Sequence, residues 1–248
     1  MSELYDAIGV GYRARRRPDP RLAAAITQAL GETATVVNVG AGAGSYEPTD
    51  RSVVAVEPAM TMIRQRSAGS APVVQASATE LPFRDDEFAA ALAVLTVHHW
   101  PDKARGLDEL GRVARRRVVV VTWDPASAGF WLVDDYFTDL VAIDQRIFPA
   151  IDDFRRTLGR VEVRPLPVPH DCVDGFLGAY WRRPHAYLDA RVRGAISTFA
   201  KVPPGAVESG LERLRRDLAD GTWARRHGHL LDRDEIDLGY RLVVAAKR

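Results

Sequence analysis

Three glycines at alternate positions, Gly40, Gly42 and Gly44, follow directly on the run Val36-Val37-Asn38-Val39. A β-branched run that breaks into glycine reads as a buried strand opening into a loop where backbone approaches a ligand closely. A second apolar run, Ser52-Val53-Val54-Ala55-Val56, ends in the carboxylate Glu57. In a doubly wound sheet two such strand ends lie side by side at the carboxyl edge, so loop and carboxylate can hold one ligand that carries a ribose. The spacing predicts a nucleoside-cofactor site.

Two cofactor classes compete for it. A dinucleotide needs Gly-x-Gly-x-x-Gly running into a helix whose N-terminus meets the pyrophosphate, but Ser45 stands in the last glycine's place and Pro48 limits a helix there. S-adenosylmethionine has no phosphate and suits a Gly-x-Gly-x-Gly loop without a helix dipole better.

His98 and His99 close the apolar run from Phe88 to Val97, and histidine titrates in the range that a proton acceptor needs. Strand alternation would send the two rings in different directions, so one of them is expected in a cleft. His227-Gly228-His229 lacks nearby acidic ligands, and no metal is expected. The single cysteine, Cys172, has no partner motif and reads as buried and inert; it excludes an internal disulfide and a multi-thiolate zinc site. Gly44-Ser45-Tyr46 is not a nucleophile elbow.

These residues need elements to position them. Asp19 and Pro20 start a helix as N-cap and first helical residue, Leu22, Ile26 and Leu30 give it an apolar stripe, and Gly31 ends it. The first strand is expected over 35–39, and its short crossover to the second leaves room for barely a turn of helix. Pro58 opens a helix carrying Met60, Met62 and Ile63, a third strand follows over 72–75, and the fourth, over 88–97, is apolar enough to be buried on both faces. Asp102 caps a helix with Leu107, Leu110 and Val113 at helical spacing, whose basic end is expected to carry Arg112, Arg115, Arg116 and Arg117. A fifth strand over 118–122 precedes Trp123-Asp124-Pro125. Strands that alternate with helices in this way predict a parallel α/β sheet.

Composition narrows the partners. With 248 residues, 46% hydrophobic and 27% charged, the chain has the make-up of an ordinary globular protein able to bury a substantial core. A formal net charge of +1 supplies no global field for nucleic acid or an anionic membrane, so a small neutral partner is expected and neither of those. No signal-like segment and no membrane-length apolar run appear, which predicts a cytoplasmic protein, monomeric or homodimeric. The segment from Leu4 to Tyr12, followed by Arg13, Arg15, Arg16 and Arg17, reads either as a solvated terminus or as a lid that uses Tyr5 and Tyr12.

From about Tyr5 to Asp124, roughly half its length, the chain resembles the class I S-adenosylmethionine-dependent methyltransferases. It looks most like their small-molecule branch, which includes the ubiquinone and menaquinone biosynthesis enzymes. The resemblance rests on linked motifs: Tyr5-Asp6, Val39-Gly40-Ala41-Gly42-Ala43-Gly44, Val56-Glu57-Pro58 with Met62, Glu80-Leu81-Pro82-Phe83, and Glu109-Leu110 followed by Arg112-Val113. It implies a Rossmann-like, doubly wound seven-stranded sheet, mostly parallel with an antiparallel last strand. It implies further that Gly40, Ala41, Gly42 and Gly44 surround the methionine part of the cofactor, and that Glu57, beside Pro58 and Met62, accepts hydrogen bonds from both ribose hydroxyls. Ser77 and Ala78 would lie beside the adenine, His98 near the sulfonium with His99 as the other candidate base, and Tyr5, Tyr12 and a nearby arginine over the cofactor. Three positions depart from the family pattern. Asn38 stands where an acid is usual, Ala76-Ser77 replaces Gly-Asp, and Ala89 replaces an aspartate.

The second half is expected to supply the acceptor side. A helix from Phe130 to Phe148, a sixth strand over 161–166, and helices near 173–179, 186–199 and 207–219 precede a last strand over 235–245. The whole of 1–248 is read as one methyltransferase-like domain: a lid segment over 1–18, a cofactor core over 19–124, cap helices with the sixth strand over 125–234, and the last strand over 235–248. Trp123, Trp131, Phe137, Tyr180, Trp181 and Tyr187 are placed in the cleft under that cap, with about two of them expected against substrate. The predicted reaction moves a methyl group from S-adenosylmethionine, leaving S-adenosylhomocysteine, to an oxygen, nitrogen or carbon nucleophile of a small, aromatic or otherwise apolar metabolite. The alternatives are a protein of this fold that binds the cofactor without transferring methyl groups, and an NAD(P)-dependent oxidoreductase.

Overall fold

The structure, a computed structural model, describes residues 16–247; the proposed lid residues Tyr5 and Tyr12 lie outside the described residues. Its strands are β1 (Thr35–Val39), β2 (Ser52–Val56), β3 (Val73–Val74), β4 (Phe88–Val94), β5 (Ala114–Trp123), β6 (Val161–Pro165), β7 (Val168–Pro169), β8 (Glu235–Ile236) and β9 (Tyr240–Ala246). Seven of them form one sheet in the order β3-β2-β1-β4-β5-β9-β6, while β7 and β8 pair separately. Strands β1 to β5 run parallel, and β9 lies antiparallel between β5 and β6. This is the expected Rossmann-like sheet with its reversed last strand. The order turns back between β1 and β4, which opens a crevice at their carboxyl ends.

The helices are α1 (Pro20–Leu30), α2 (Met60–Ile63), α3 (Lys103–Val113), α4 (Thr138–Ile147), α5 (Ile151–Leu158), α6 (Ala190–Arg193), α7 (Pro204–Ala219) and α8 (Thr222–His227). Helix α1 starts as its sequence requires: the Asp19 side chain accepts from the Arg21 N–H, Pro20 takes the first position, and Leu22, Ile26 and Leu30 are buried. Asp102 caps α3 in the same way through the Arg105 N–H. One contiguous apolar cluster joins α1 and the sheet to the residues between Trp131 and Leu230. Among the described residues no helix is long and apolar enough to cross a membrane.

Several expectations are corrected. Strand β4 stops at Val94 because Leu95 takes φ +49 and the chain turns through a 3₁₀ segment, Val97–His99. Strand β3 is confined to Val73–Val74, and no helix forms between β1 and β2. Helix α3 ends at Val113, so Arg115, Arg116 and Arg117 belong to β5 and not to a helix end. Arg117 instead donates to the Ala29 carbonyl at the end of α1.

The expected 130–148 helix is a π-helical segment, Leu132–Tyr136, and α4, divided at Phe137 (φ −138, ψ 57). The expected 173–179 and 186–199 helices are short 3₁₀ pieces and α6, whereas α5 and α8 form where the sequence pattern predicts no helix. The predicted last strand is split, with Gly239 (φ +86) turning the chain between β8 and β9.

Gly210 lets α7 lie directly on that π-helical segment. A Cβ there would stand 2.6 Å from the Tyr136 carbonyl oxygen and would also strike the Phe137 ring. Helix propensity alone favours alanine over glycine by about 1 kcal/mol. Overpacking against backbone costs about 1–3 kcal/mol and outweighs it. Gly210→Ala is therefore expected to lower Tm in a thermal melt; an unchanged or higher Tm would contradict this packing.

Candidate functional site

Two cavities open at the carboxyl edge of the sheet. The first, about 960 Å³ including its mouth, is lined by the glycine loop, Asn38, Glu57, Met62, Ser77 and Ala78, among others. All the described cofactor-site candidates are brought together here except Gly44, which does not line the cavity. Gly44 turns the loop at φ +93, with Ser70 against its open side.

The glycine loop is fixed by its backbone and by Glu57. The N–H groups of Gly40 and Ala41 both donate to the Val56 carbonyl, at 2.8 and 3.0 Å. Glu57, only 6% exposed, then accepts from the Gly42 N–H at 2.8 Å with one oxygen and from the Ala59 N–H at 3.0 Å with the other. Burial raises its pKa, against the lowering effect of those two N–H groups and of Arg66. On the outer side Arg66 pairs with Glu47 at 2.6 Å and donates to the Gly42 carbonyl. Gly40 sits at φ +71 with the Thr96 side chain where a Cβ would go, so the loop passes close to the end of β4.

Asn38 carries an orphan. Its Nδ2 is buried with no hydrogen-bond partner among the described residues, and the residue lines the cavity. A buried amide left unpaired is costly, and a ligand oxygen would satisfy it. Ser77 shares a hydrogen bond of 2.8 Å with Thr79 and stays beside Ala78 on the same wall.

The second cavity, about 1210 Å³ including its mouth, lies under the residues between β5 and β9. Arg16, Leu95 and His99 line both cavities and mark where they meet. His98 lines the second cavity alone. The alternation expected of the histidines is thus corrected: the 3₁₀ turn sets their rings 3.8 Å apart and tilted at 44°, and both line the second cavity.

His98 stacks on Phe148, with centroids 4.0 Å apart, and its Nδ1 is buried without a partner among the described residues. Burial holds His98 well below the usual imidazole range. Burial, with the charges of Lys201, Arg16 and Lys103, lowers His99 to about 3.

Of the six aromatics assigned to the cleft, Trp123 alone lines it. Trp131, Phe137, Trp181 and Tyr187 are core residues, and Tyr180 packs against the same core. Buried indoles need a partner for N–H, and Trp131 and Trp181 find backbone carbonyls at 2.9 and 3.0 Å. The aromatic walls come instead from Phe130, Phe148, Phe176 and Tyr240.

Arg16, one of the basic cluster, had no assigned partner in the sequence. Its Nε donates to Asp174 at 2.6 Å, and the other Asp174 oxygen accepts from Tyr46 at 2.9 Å. Tyr46 in turn accepts from the Asp19 N–H, so the glycine loop, the start of α1 and the segment after β7 share one buried network. Elsewhere, His227 pairs with Asp135 at 2.8 Å, and Cys172 is buried with its thiol pushed up to about 12.

The family model described as a methyltransferase domain matches residues 37–122. A solved structure from Anabaena variabilis, described provisionally as a methyltransferase from an antibiotic biosynthesis pathway, is 34% identical, with a TM-score of 0.85 over 93% of this chain and 98% of that one. The chloroplastic 2-methyl-6-phytyl-1,4-hydroquinone methyltransferase 2 of Oryza sativa subsp. japonica is 28% identical over 129 residues, 48% of this chain and 36% of that protein. The chain thus matches about a third of the length of that curated relative. The YcgJ protein of Bacillus subtilis, 18% identical with a TM-score of 0.54 over 92% of this chain and 98% of that one, shares the fold. The chain belongs to the class I S-adenosylmethionine-dependent methyltransferases.

The first cavity fits the family's cofactor: the orphaned Asn38 amide in its wall suits a ligand acceptor atom. A dinucleotide would lack its helix N-terminus, because residues 40–51 form turns.

The buried histidines should remain neutral across the range where a solvated imidazole titrates, near 6.5. In NMR titrations between about pH 8 and pH 5 their ring resonances are expected not to shift, whereas an inflection near 6 would contradict their burial.

Proposed function

We propose that this chain transfers a methyl group from S-adenosylmethionine to a small, largely apolar acceptor held in the second cavity. The observation that carries the reading is the meeting of the two cavities at Arg16, Leu95 and His99. A cofactor seated on the glycine loop and an acceptor under the aromatic walls would face each other across that junction.

In this reading Glu57 accepts from the ribose hydroxyls with the lone pairs its two backbone N–H donors leave unused. Gly40, Ala41, Gly42 and Gly44 shape the loop around the methionine part, and the Asn38 amide meets one of its polar atoms. Met62 and Pro58 pack beside the ribose, and Ser77 and Ala78 beside the adenine. When bound, the cofactor supplies the methyl group on a positively charged sulfonium.

The chain's main contribution is to align the acceptor with that group in a water-poor cleft, an effect that can supply about 7–11 kcal/mol. His99 stands at the junction as the candidate group for the acceptor's proton, with His98 behind it. Since burial leaves His99 a weak base, with a pKa of about 3, alignment carries more of the rate than proton removal.

Calorimetric titration with S-adenosylmethionine and S-adenosylhomocysteine tests the reading. Wild type is expected to bind both, and Glu57→Ala to lose at least about tenfold in affinity, since it removes a buried charged acceptor. No binding to wild type would overturn the assignment. Binding without turnover across a broad acceptor panel would favour a protein that uses the site without methyl transfer.

A further inference from the structure

The second cavity is aromatic, yet a buried carboxylate stands in its wall. Asp144 on α4 is 6% exposed and lines the cavity. Its Oδ1 accepts from the Thr198 hydroxyl at 3.1 Å, and Oδ2 has no hydrogen-bond partner among the described residues. Among those residues no cation comes within 4.0 Å of it: Lys201 faces it only at longer range, and Arg16 is engaged with Asp174. Asp134, exposed at the rim, adds a second carboxylate. His98 and His99 are held neutral by burial, so on this wall Asp144 and Asp134 are the groups that can carry negative charge, while Arg16 stands at the junction.

A buried charge without a close counter-charge is costly, and it persists where a ligand completes it. The aromatic residues make the same demand. Trp123 spends its indole N–H on the Leu238 carbonyl at 3.0 Å, and Phe130 and Phe148 carry no polar side-chain atom, so ring surface is what these three side chains have left to offer. Ring faces attract cations, and a carboxylate beside them adds a charge-assisted hydrogen bond. Resting on the methyltransferase reading of this site, we infer that the acceptor is an apolar, aromatic-sized molecule bearing a protonated amine, which Asp144 holds among the rings of Trp123, Phe130 and Phe148.

The ammonium is a handle and not the nucleophile, because a protonated nitrogen has no lone pair to accept a methyl group. Asp144 lines the second cavity alone and not the junction, as a handle should. The groups that set its charge are Thr198 and Lys201, which favour the carboxylate, and burial, which opposes it more strongly and pushes its pKa up to about 6. Tyr240 feels the Asp144 charge as well, and Lys103 lies close enough to act on Lys201. Amine binding should therefore weaken as pH falls through about 6 and Asp144 takes up a proton.

Phenethylamine, phenethyl alcohol and phenylacetate, nearly equal in size, separate the possibilities when titrated against wild type with tryptophan fluorescence as the readout. The amine is expected to bind on the order of tenfold tighter than the alcohol, with phenylacetate weakest. Asp144→Asn should cost the amine on the order of thirtyfold and leave the alcohol unchanged.

Equal binding of the amine and the alcohol by wild type, or preference for phenylacetate, would overturn the inference without recourse to any variant. Retained amine affinity in a folded Asp144→Asn would do the same. S-adenosylhomocysteine titrated in parallel separates the two claims: its failure to bind counts against the methyltransferase reading, whereas its binding without amine selectivity counts against the handle alone.

Discussion

The site depends on one buried carboxylate. Glu57 takes the Gly42 N–H on one oxygen and the Ala59 N–H on the other, so a single side chain ties the loop after β1 to the turn after β2. Hydrogen bonds to a charged group contribute about 1.5–3 kcal/mol each, against the cost of burying the charge. The rise in the Glu57 pKa indicates that burial is the larger effect. A carboxylate kept in that state has reason to take further donors, and two ribose hydroxyls are donors of the right kind. The parallel register of β1 and β2, from Thr35 opposite Ser52 to Val39 opposite Val56, brings the two strand ends level.

Around that tie the molecule is built in two layers of constraint. The glycine loop is braced from outside by the Arg66–Glu47 pair and from inside by Thr96, which fills the space a side chain at Gly40 would need. The network of Arg16, Asp174, Tyr46 and Asp19 then fastens the loop to the segment after β7, which gives Phe176 and Leu177 to the second cavity. Buried polar networks of this kind are stable only when their members are satisfied, and this one links residues as far apart as 16 and 174. Leu95, held at φ +49 where the two cavities meet, is a residue in a conformation that leucine rarely adopts.

Much of this was legible in the sequence, for physical reasons. The run Val118–Val121 is β-branched and uninterrupted, and Val36–Val39 is broken only by Asn38, so the central strands and their burial could be read directly. The caps at Asp19 and Asp102 were equally clear, because each is a local side chain to backbone bond. The residues that line the first cavity followed from strand ends and glycines, which are local too.

What escaped was non-local or lacked periodicity. The turn at Leu95 carries no glycine or proline to announce it, so the apolar run looks like one strand as far as Val97 and its alternation points the histidines in different directions. The chain between β7 and β8 consists partly of pieces three to five residues long, too short for helical spacing to show. Its aromatics at helical spacing went mainly into the core, while the cavity took Phe130, Phe148, Phe176 and Tyr240 from separate elements. Asp174 and Asp144 each gain their meaning from partners distant in the chain, Arg16 and Thr198, and no pattern along the sequence reveals such pairs.

The most direct test of the account is a crystal structure of the protein with S-adenosylhomocysteine. Both ribose hydroxyls are expected on the Glu57 carboxylate, the amino acid part against the glycine loop with the Asn38 amide satisfied, and the sulfur facing the junction of Arg16, Leu95 and His99. A ligand seated elsewhere, or one that leaves Glu57 bonded only to Gly42 and Ala59, would contradict it.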